Sequence, residues 1–226
     1  PLNLYYGDIE TSEKRSSSGI SAWETIARDK KVLASINEWL EDQDKMATPY
    51  RLETVLYKSS RKIAGKTNEL QMMHLIDTKR NTVVNPRNVG AGLCQVLPLL
   101  VDAMGSSERM VAVEQPELHL HPKLQCELAD VFIKSAREKQ NTFLLESHSE
   151  HLLLRIMRRM RETAKGNHPP GDPLRLTPED VAVLYVMPKG DSSRVIELRL
   201  DEEGDLLDPW PGGFFEEGYR ERFSKD

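Results

Sequence analysis

Residues Met110 to Pro122 read Met-Val-Ala-Val-Glu-Gln-Pro-Glu-Leu-His-Leu-His-Pro, and no other stretch narrows the possible folds as much. A short apolar run that stops abruptly at a carboxylate is the pattern of a buried strand whose last residue faces a ligand at the sheet's carboxyl edge, and Glu114 there suits Mg²⁺. Downstream, Asn141-Thr-Phe-Leu-Leu-Glu-Ser-His148-Ser repeats the design: an apolar strand, a polar break, and a histidine opening a helix. Two such strand ends aim Glu114 and His148 at one crevice, the place where open α/β sheets bind ligands.

A third element lies upstream at Asn88-Val-Gly90-Ala-Gly92-Leu-Cys94-Gln95, followed by the apolar, helix-like run Val96 to Met104. Closely spaced glycines before a helix let the backbone approach an anion, with exposed amides and the helix dipole contributing roughly 0.3–1 kcal/mol. A tight turn is the alternative reading of the same glycines.

The order of these elements resembles the C-terminal half of an ABC-like bacterial AAA-family ATPase: glycine turn and helix, acidic strand end with Pro-Glu-Leu-His-Leu-His-Pro, then strand, Ser-His-Ser and helix. It is most similar to the overcoming-lysogenisation-defect type and to a group ending in a domain of unknown function with a Trp-Pro-Gly-Gly-Phe-Phe motif, present here as Trp210 to Phe215. The resemblance covers Tyr50 to the C-terminus, with a weaker match around Val32 to Leu40. It implies an α/β fold, the second half of an ABC-type P-loop NTPase with a sheet and flanking helices, plus a small C-terminal β-rich appendage.

The same resemblance implies ATP and Mg²⁺ as ligands and residue roles to match. Glu114 takes the Walker B magnesium position, Gln115 the position of the catalytic glutamate, and His148 that of the switch histidine. Asn88 and the stretch Gly90, Gly92, Cys94 and Gln95 take the signature loop that reaches a partner subunit's nucleotide, so a homodimer closed by an ATP sandwich is implied. An effector subunit, nucleic acid, and DNA-related or phage-defence work belong to the same expectation. Three departures matter: glutamate for aspartate at 114, glutamine for glutamate at 115, and Cys94 for serine. A glutamine orients water but accepts no proton, and general-base help is worth about 10²–10⁴-fold. Hydrolysis should therefore be slow or borrow Glu117 or Glu146, and a non-hydrolysing ATP-gated scaffold is the alternative.

A phosphate-cradling Gly-x-x-x-x-Gly-Lys-Ser/Thr loop is not found in full in this sequence. The closest string, Ser60 to Thr67 with Lys66, lacks the first glycine and leads into alternating residues from Leu70 to Asp77, so a hairpin turn is the better reading. Together with a first residue that is Pro1, this predicts a truncated chain or a split subunit whose N-terminal ATPase half lies elsewhere.

Composition sets outer limits. The chain has 226 residues, 38% hydrophobic and 30% charged, with net charge −5, which fits a globular domain and gives no general pull toward nucleic acid. No apolar run approaches the ~20 residues that span a bilayer and no signal peptide is visible, so the reading is cytoplasmic without a membrane partner. Cys94 and Cys126 have no paired spacing and read as reduced thiols. The organisation predicted is a mobile N-terminal segment and helical region over 1–49, an ATPase half over 50–165, and a linker, hairpin and appendage over 166–226. Within it, Ser21 to Glu41 reads as a helix with Ile26, Leu33, Ile36 and Leu40 on one stripe, Pro122 to Lys139 as an amphipathic helix, and Val181–Met187 with Arg194–Leu200 as a hairpin.

Two rival readings arise from residue types alone. His119, His121, His148 and His151 with Glu114 contain metal ligands, so a metal-dependent nuclease or hydrolase is an alternative. The helix after Ser149 carries Arg155, Arg158, Arg159, Arg161 and Lys165, which could meet a DNA backbone or simply be its solvated face.

Overall fold

The computed structural model describes residues 29–63, 66–85 and 88–211. The N-terminal segment to Arg28, with Ile26 of the expected helix stripe, and Gly212 to Phe215 of the C-terminal motif lie outside the described residues.

The first described helix, α1 (Lys30–Glu41), is stopped at its N-terminus by Asp29, whose carboxylate accepts from the backbone N–H of Lys31 at 2.8 Å and Val32 at 3.2 Å. Val32, Ile36, Trp39 and Leu40 form its buried face. Asn37, on the neighbouring flank, inserts into a strand edge: it donates to the Leu52 carbonyl at 2.9 Å and accepts from the Leu52 N–H at 2.8 Å, replacing a missing strand neighbour.

Strands β1 (Tyr50–Ile63) and β2 (Lys66–Asp77) form a long antiparallel hairpin, and β3 (Thr82–Val84) pairs only with Leu75 to Asp77 at its base. Leu52 and Leu75 face each other across the ladder and are both buried in the main core. Lys66 pairs with Ile63 and opens the return strand, so the hairpin reading of Ser60 to Thr67 holds and no helix follows that lysine.

Helix α2 (Ala91–Gly105) begins five residues before the apolar run at Val96, because Gly90 serves as its N-cap and the glycine-bearing turn is already helical. Leu93, Val96, Leu97, Leu100, Val101 and Ala103 are all buried, and the helix tolerates Pro98 in its interior because packing on several sides fixes it. Strand β4 (Met110–Glu114), helix α3 (Pro122–Lys139) and strand β5 (Thr142–Glu146) make a βαβ unit in which the strands are parallel and in register from Met110↔Thr142 to Glu114↔Glu146. Buried Asn141 ties its lower end together, donating to the Ser106 carbonyl and Ser135 hydroxyl at 3.0 Å each and accepting from Arg109 N–H at 3.1 Å. Phe132 of α3 meets Phe143 of β5 with ring centroids 4.9 Å apart.

The two-stranded sheet is covered on one face only. Met110 is 72% exposed and Leu144 53%, whereas parallel strands are ordinarily buried on both faces.

Helix α4 (Glu150–Ala164) is capped by Ser149, whose hydroxyl accepts from Leu152 N–H at 3.0 Å. Arg155 and Arg159 turn inward. Asp130 of α3, nearly buried, takes Arg155 at 2.5 Å and Arg159 at 2.6 and 2.8 Å; Glu127 takes Arg155 at 3.0 Å, and Glu162 takes Arg159 at 2.5 Å and Arg158 at 2.7 Å. Arg161 is paired to Asp205 at 2.6 Å, so Arg155, Arg158, Arg159 and Arg161 each have a carboxylate partner within the protein.

Residues 166–211 pack as a small second core, where Leu176 joins Ile133 and Met160 with Leu174, Val181 and Leu200 alongside. Strands β6 (Val183–Lys189) and β7 (Ser192–Leu198) are shifted two residues from the sequence expectation, because pairing runs up to Lys189↔Ser192 around a Gly190-Asp191 turn. Trp210 meets Tyr185 edge-on at 6.0 Å. Gly204 (φ +79) is required twice over, by its left-handed backbone and because a Cβ there would lie 2.7 Å from the Met157 carbonyl of α4. Among the described residues no helix is long and apolar enough to cross a membrane.

Candidate nucleotide and magnesium site

The parallel register places Glu114 and Glu146 side by side at the carboxyl ends of β4 and β5, both exposed. The chain then leaves β4 through Gln115, whose N–H extends the ladder to the Glu146 carbonyl at 2.8 Å while its backbone turns into the left-handed region (φ +46). Pro116 is fully buried, and His119 is left-handed again (φ +63) before Pro122 opens α3. Two non-glycine residues in that region within one short loop carry strain of order 1–3 kcal/mol each, which only surrounding contacts can hold.

Those contacts are specific. Glu117 reaches across to the end of β5, where one carboxylate oxygen accepts from the His148 N–H at 2.8 Å. Its other oxygen is buried and has no hydrogen-bond partner among the described residues. A buried carboxylate oxygen left bare is a cost the fold carries unless a ligand or water completes it. The His148 ring, 73% exposed, sits 3.2 Å from Glu146. Gln115, Glu117, His148 and Glu114 are thus brought together, with Glu146 as a fifth member.

The glycine stretch lies behind the same loop. Gly90, the N-cap of α2, is exposed with open space around it. Gly92 is different: a Cβ there would lie 2.6 Å from the His119 carbonyl oxygen and 3.2 Å from Leu120 Cδ2, so this glycine packs the start of α2 directly against the loop. Cys94 and Gln95 sit half-buried in the first helical turn, where burial pushes the Cys94 thiol up from its ordinary value. Asn88 is exposed just before it.

Gln125 escaped the sequence reading. It donates to the Leu120 carbonyl at 2.9 Å and accepts from the Ser149 hydroxyl at 2.5 Å, bridging the loop to the α4 cap. Asp130 escaped it too, although an aspartate inside Leu128-Ala-Asp-Val-Phe132 was a visible anomaly.

The histidines do not gather into a centre. His119 and His121 are exposed, the latter accepting from Lys123 N–H at 3.3 Å as a helix cap, and no group of three or more His, Cys, Asp or Glu among the described residues is arranged to hold a metal ion. The Glu114–Glu146 pair suits Mg²⁺ nonetheless, which takes one or two carboxylates and leaves its remaining positions to water and phosphate.

Residues 11–155 match the family described as "AAA domain, putative AbiEii toxin, Type IV TA system". The chain belongs to this AAA-domain family. It is therefore an ATPase-type, nucleotide-binding domain, and residues 176–221 further match a "Protein of unknown function (DUF3696)", a span that includes the Trp-Pro-Gly-Gly-Phe-Phe motif. No curated protein matches the sequence. Among solved structures, the AAA domain is similar to an Smc head domain with a coiled coil and joint from Pyrococcus yayanosii, at 10% identity and a TM-score of 0.47, covering 77% of this chain and 28% of that one. A second similar chain, described as "Structural biochemistry of ATP-driven dimerization and DNA stimulated activation of SMC ATPases", is 11% identical with a TM-score of 0.44, covering 88% of this chain and all of the other. The chain thus spans little more than a quarter of the first of these proteins.

Proposed function

We propose that this AAA domain supplies the Walker B, switch and signature parts of an ATP site that closes between two protomers, with the phosphate-binding half coming from a further segment or subunit. The observation that carries the reading is Glu117, with one oxygen fixed by the His148 N–H and the other buried and bare, beside the Glu114–Glu146 pair. In it, Glu114 with Glu146 holds Mg²⁺, which when bound neutralises phosphate charge. Glu117 accepts the proton that Gln115 cannot, and the exposed His148 ring donates to a terminal phosphate oxygen. Asn88, Gly90, Cys94 and Gln95 face the partner's nucleotide, with Gly92 holding that turn against the loop. The half-covered β4–β5 sheet supports a further sheet-forming segment, since its exposed Met110 and Leu144 are what such a layer would bury.

Gln115 also favours a second reading, in which nucleotide only clamps two protomers to switch an effector subunit. One experiment separates the two. In the protein assembled with its phosphate-binding half, Gln115→Glu should raise ATP turnover by up to about 10²-fold, and Glu117→Gln should abolish it. ATP-driven dimerisation with no turnover in any variant establishes the clamp, and indifference to both substitutions removes Glu117 from the site.

A further inference from the structure

We infer that Gln125, near the start of α3, is a positioning residue that carries any displacement of the glycine turn to the switch His148. What His148 senses rests on the ATP-site reading above, but the link is a property of this chain alone. Gln125 Nε2 donates to the Leu120 carbonyl at 2.9 Å, and its Oε1 accepts from the Ser149 hydroxyl at 2.5 Å. Both partners are buried, Leu120 at 7% exposure and Ser149 at 8%. The amide has only one orientation that satisfies them. A carbonyl can only accept, so the NH₂ must face Leu120, and the Ser149 oxygen already accepts from Leu152 N–H at 3.0 Å, so its own proton points at Gln125.

The position of this bridge gives it its role. On the far side of Leu120, the preceding residue His119 is left-handed and presents its carbonyl to Gly92, 2.6 Å from where a Cβ would stand. On the near side, His148 lies between two holds. Its own N–H is fixed by Glu117 at 2.8 Å, and the next residue is fixed by Gln125. Glu117 and Leu120 belong to one loop and are themselves joined, Leu120 N–H donating to the Glu117 carbonyl at 3.0 Å. The His148 ring is 73% exposed with Glu146 at 3.2 Å, so it goes where its backbone goes. Cys126 Sγ, 3.5 Å from the His151 carbonyl, adds only a weak thiol contact further along α4. From Gly92 to the switch the path is therefore one packing contact and two hydrogen bonds, with Gln125 making both bonds.

Amide hydrogen exchange of the full chain tests the link, read at His148 and Leu152 relative to the buried Leu128–Ile133 stretch of α3, which reports global unfolding. Gly92→Ala must displace the loop, and should speed exchange at Leu152 by about 5-fold. In a Gln125→Met background, which removes both bonds at similar length, the same substitution should change it less than about 2-fold. Gln125→Glu still accepts from Ser149 but sets an acceptor against the Leu120 carbonyl, so it should uncouple in the same way. Gly204→Ala crowds the Met157 carbonyl of α4 from the other side, and its effect at Leu152 should be the same with or without Gln125. Equal response to Gly92→Ala in all three backgrounds overturns the inference, and so does a Gly204→Ala effect that depends on Gln125, which would make the residue a helix cap and nothing more. In the protein assembled with its phosphate-binding half, Gln125→Met should cut the preference for ATP over ADP in dimerisation by about 10-fold. Wild-type preference in that variant also overturns it. A wild type indifferent to nucleotide, with the exchange coupling intact, removes the ATP-site reading and leaves the link standing.

Discussion

Asp130→Asn is the substitution whose consequence the packing of α3 on α4 determines most sharply. Asp130 is 9% exposed and the two arginines it binds 13% each, so three charges sit away from water with Asp130 as their common acceptor. The asparagine keeps one acceptor but turns an N–H₂ toward guanidinium donors. Burial works against the charge on Arg155, but Asp130 and Glu127 outweigh it, so the guanidinium holds its proton more tightly and cannot neutralise itself as an escape. Breaking a buried pair of this kind costs about 3–5 kcal/mol; Glu127 and Glu162 remain as partners, which argues for the lower end, about 3 kcal/mol. For a chain of this length that corresponds to a fall of roughly 6–12 °C in Tm. Thermal and urea denaturation followed by circular dichroism measures it. Replacing Asp130, Arg155 and Arg159 together by Leu, Met and Met should recover most of the loss, since apolar packing often replaces buried ions without penalty. A single-variant change within about 0.5 kcal/mol would refute the reasoning and mean that solvent screens the network.

Burial raises the Glu162 carboxyl, but hydrogen bonds from Arg158, Arg159 and His168 outweigh it and hold the group at about 2. Its stabilisation should be complete above the ordinary carboxylate value and fade as pH falls from about 4.5 toward 2, a slope that Glu162→Gln should flatten in acid-denaturation curves. Gly92→Ala should destabilise the fold by about 1–3 kcal/mol in denaturant titrations, through its 2.6 Å approach to the His119 carbonyl; wild-type stability would refute the close contact. Gly90→Asp should leave stability within a few tenths of a kcal/mol, because Gly90 is an N-cap in open space, while a carboxylate there repels a partner's phosphate and abolishes ATP-driven dimerisation in light scattering. His148→Ala should erase the difference between ATP and ADP in that assay, since the ring and not the backbone N–H holding Glu117 is removed.

Much of the scaffold was legible because period and punctuation agreed. Met110–Glu114 and Thr142–Glu146 are apolar runs cut off by carboxylates, Pro122 marks a helix start, and Ser149 precedes an amphipathic stretch, so each boundary had a local cause. Where boundaries were missed, the cause was tertiary. Two glycines in Gly90-Ala91-Gly92 weaken the local helix signal; the turn is nonetheless helical, with Gly90 as N-cap and Gly92 packed against the His119 carbonyl. The arginines after Ser149 left two readings open for a related reason, since a sequence shows charges on a helix but not the aspartate one helix away that pairs with Arg155 and Arg159.

The site shows the same division between residue type and arrangement. Glu114 and His148 could be placed at neighbouring strand ends from the pattern, whereas Gln115 and Glu117 entered only through the resemblance, and the arrangement of all four depends on a loop that no local pattern announces. Gln115 and His119 are both left-handed, although neither is glycine, and each is held by a neighbour distant in sequence: Gln115 by the Glu146 carbonyl and the His119 turn by the face of Gly92. That loop touches α2 on one side, through Gly92, and the start of α4 on the other, through Glu117 and through Gln125 on Ser149. The glycine turn and the histidine turn are therefore coupled through one strained connection. A displacement that satisfied the bare oxygen of Glu117 could not leave either side where it was, because close-packed contacts transmit such shifts and do not absorb them.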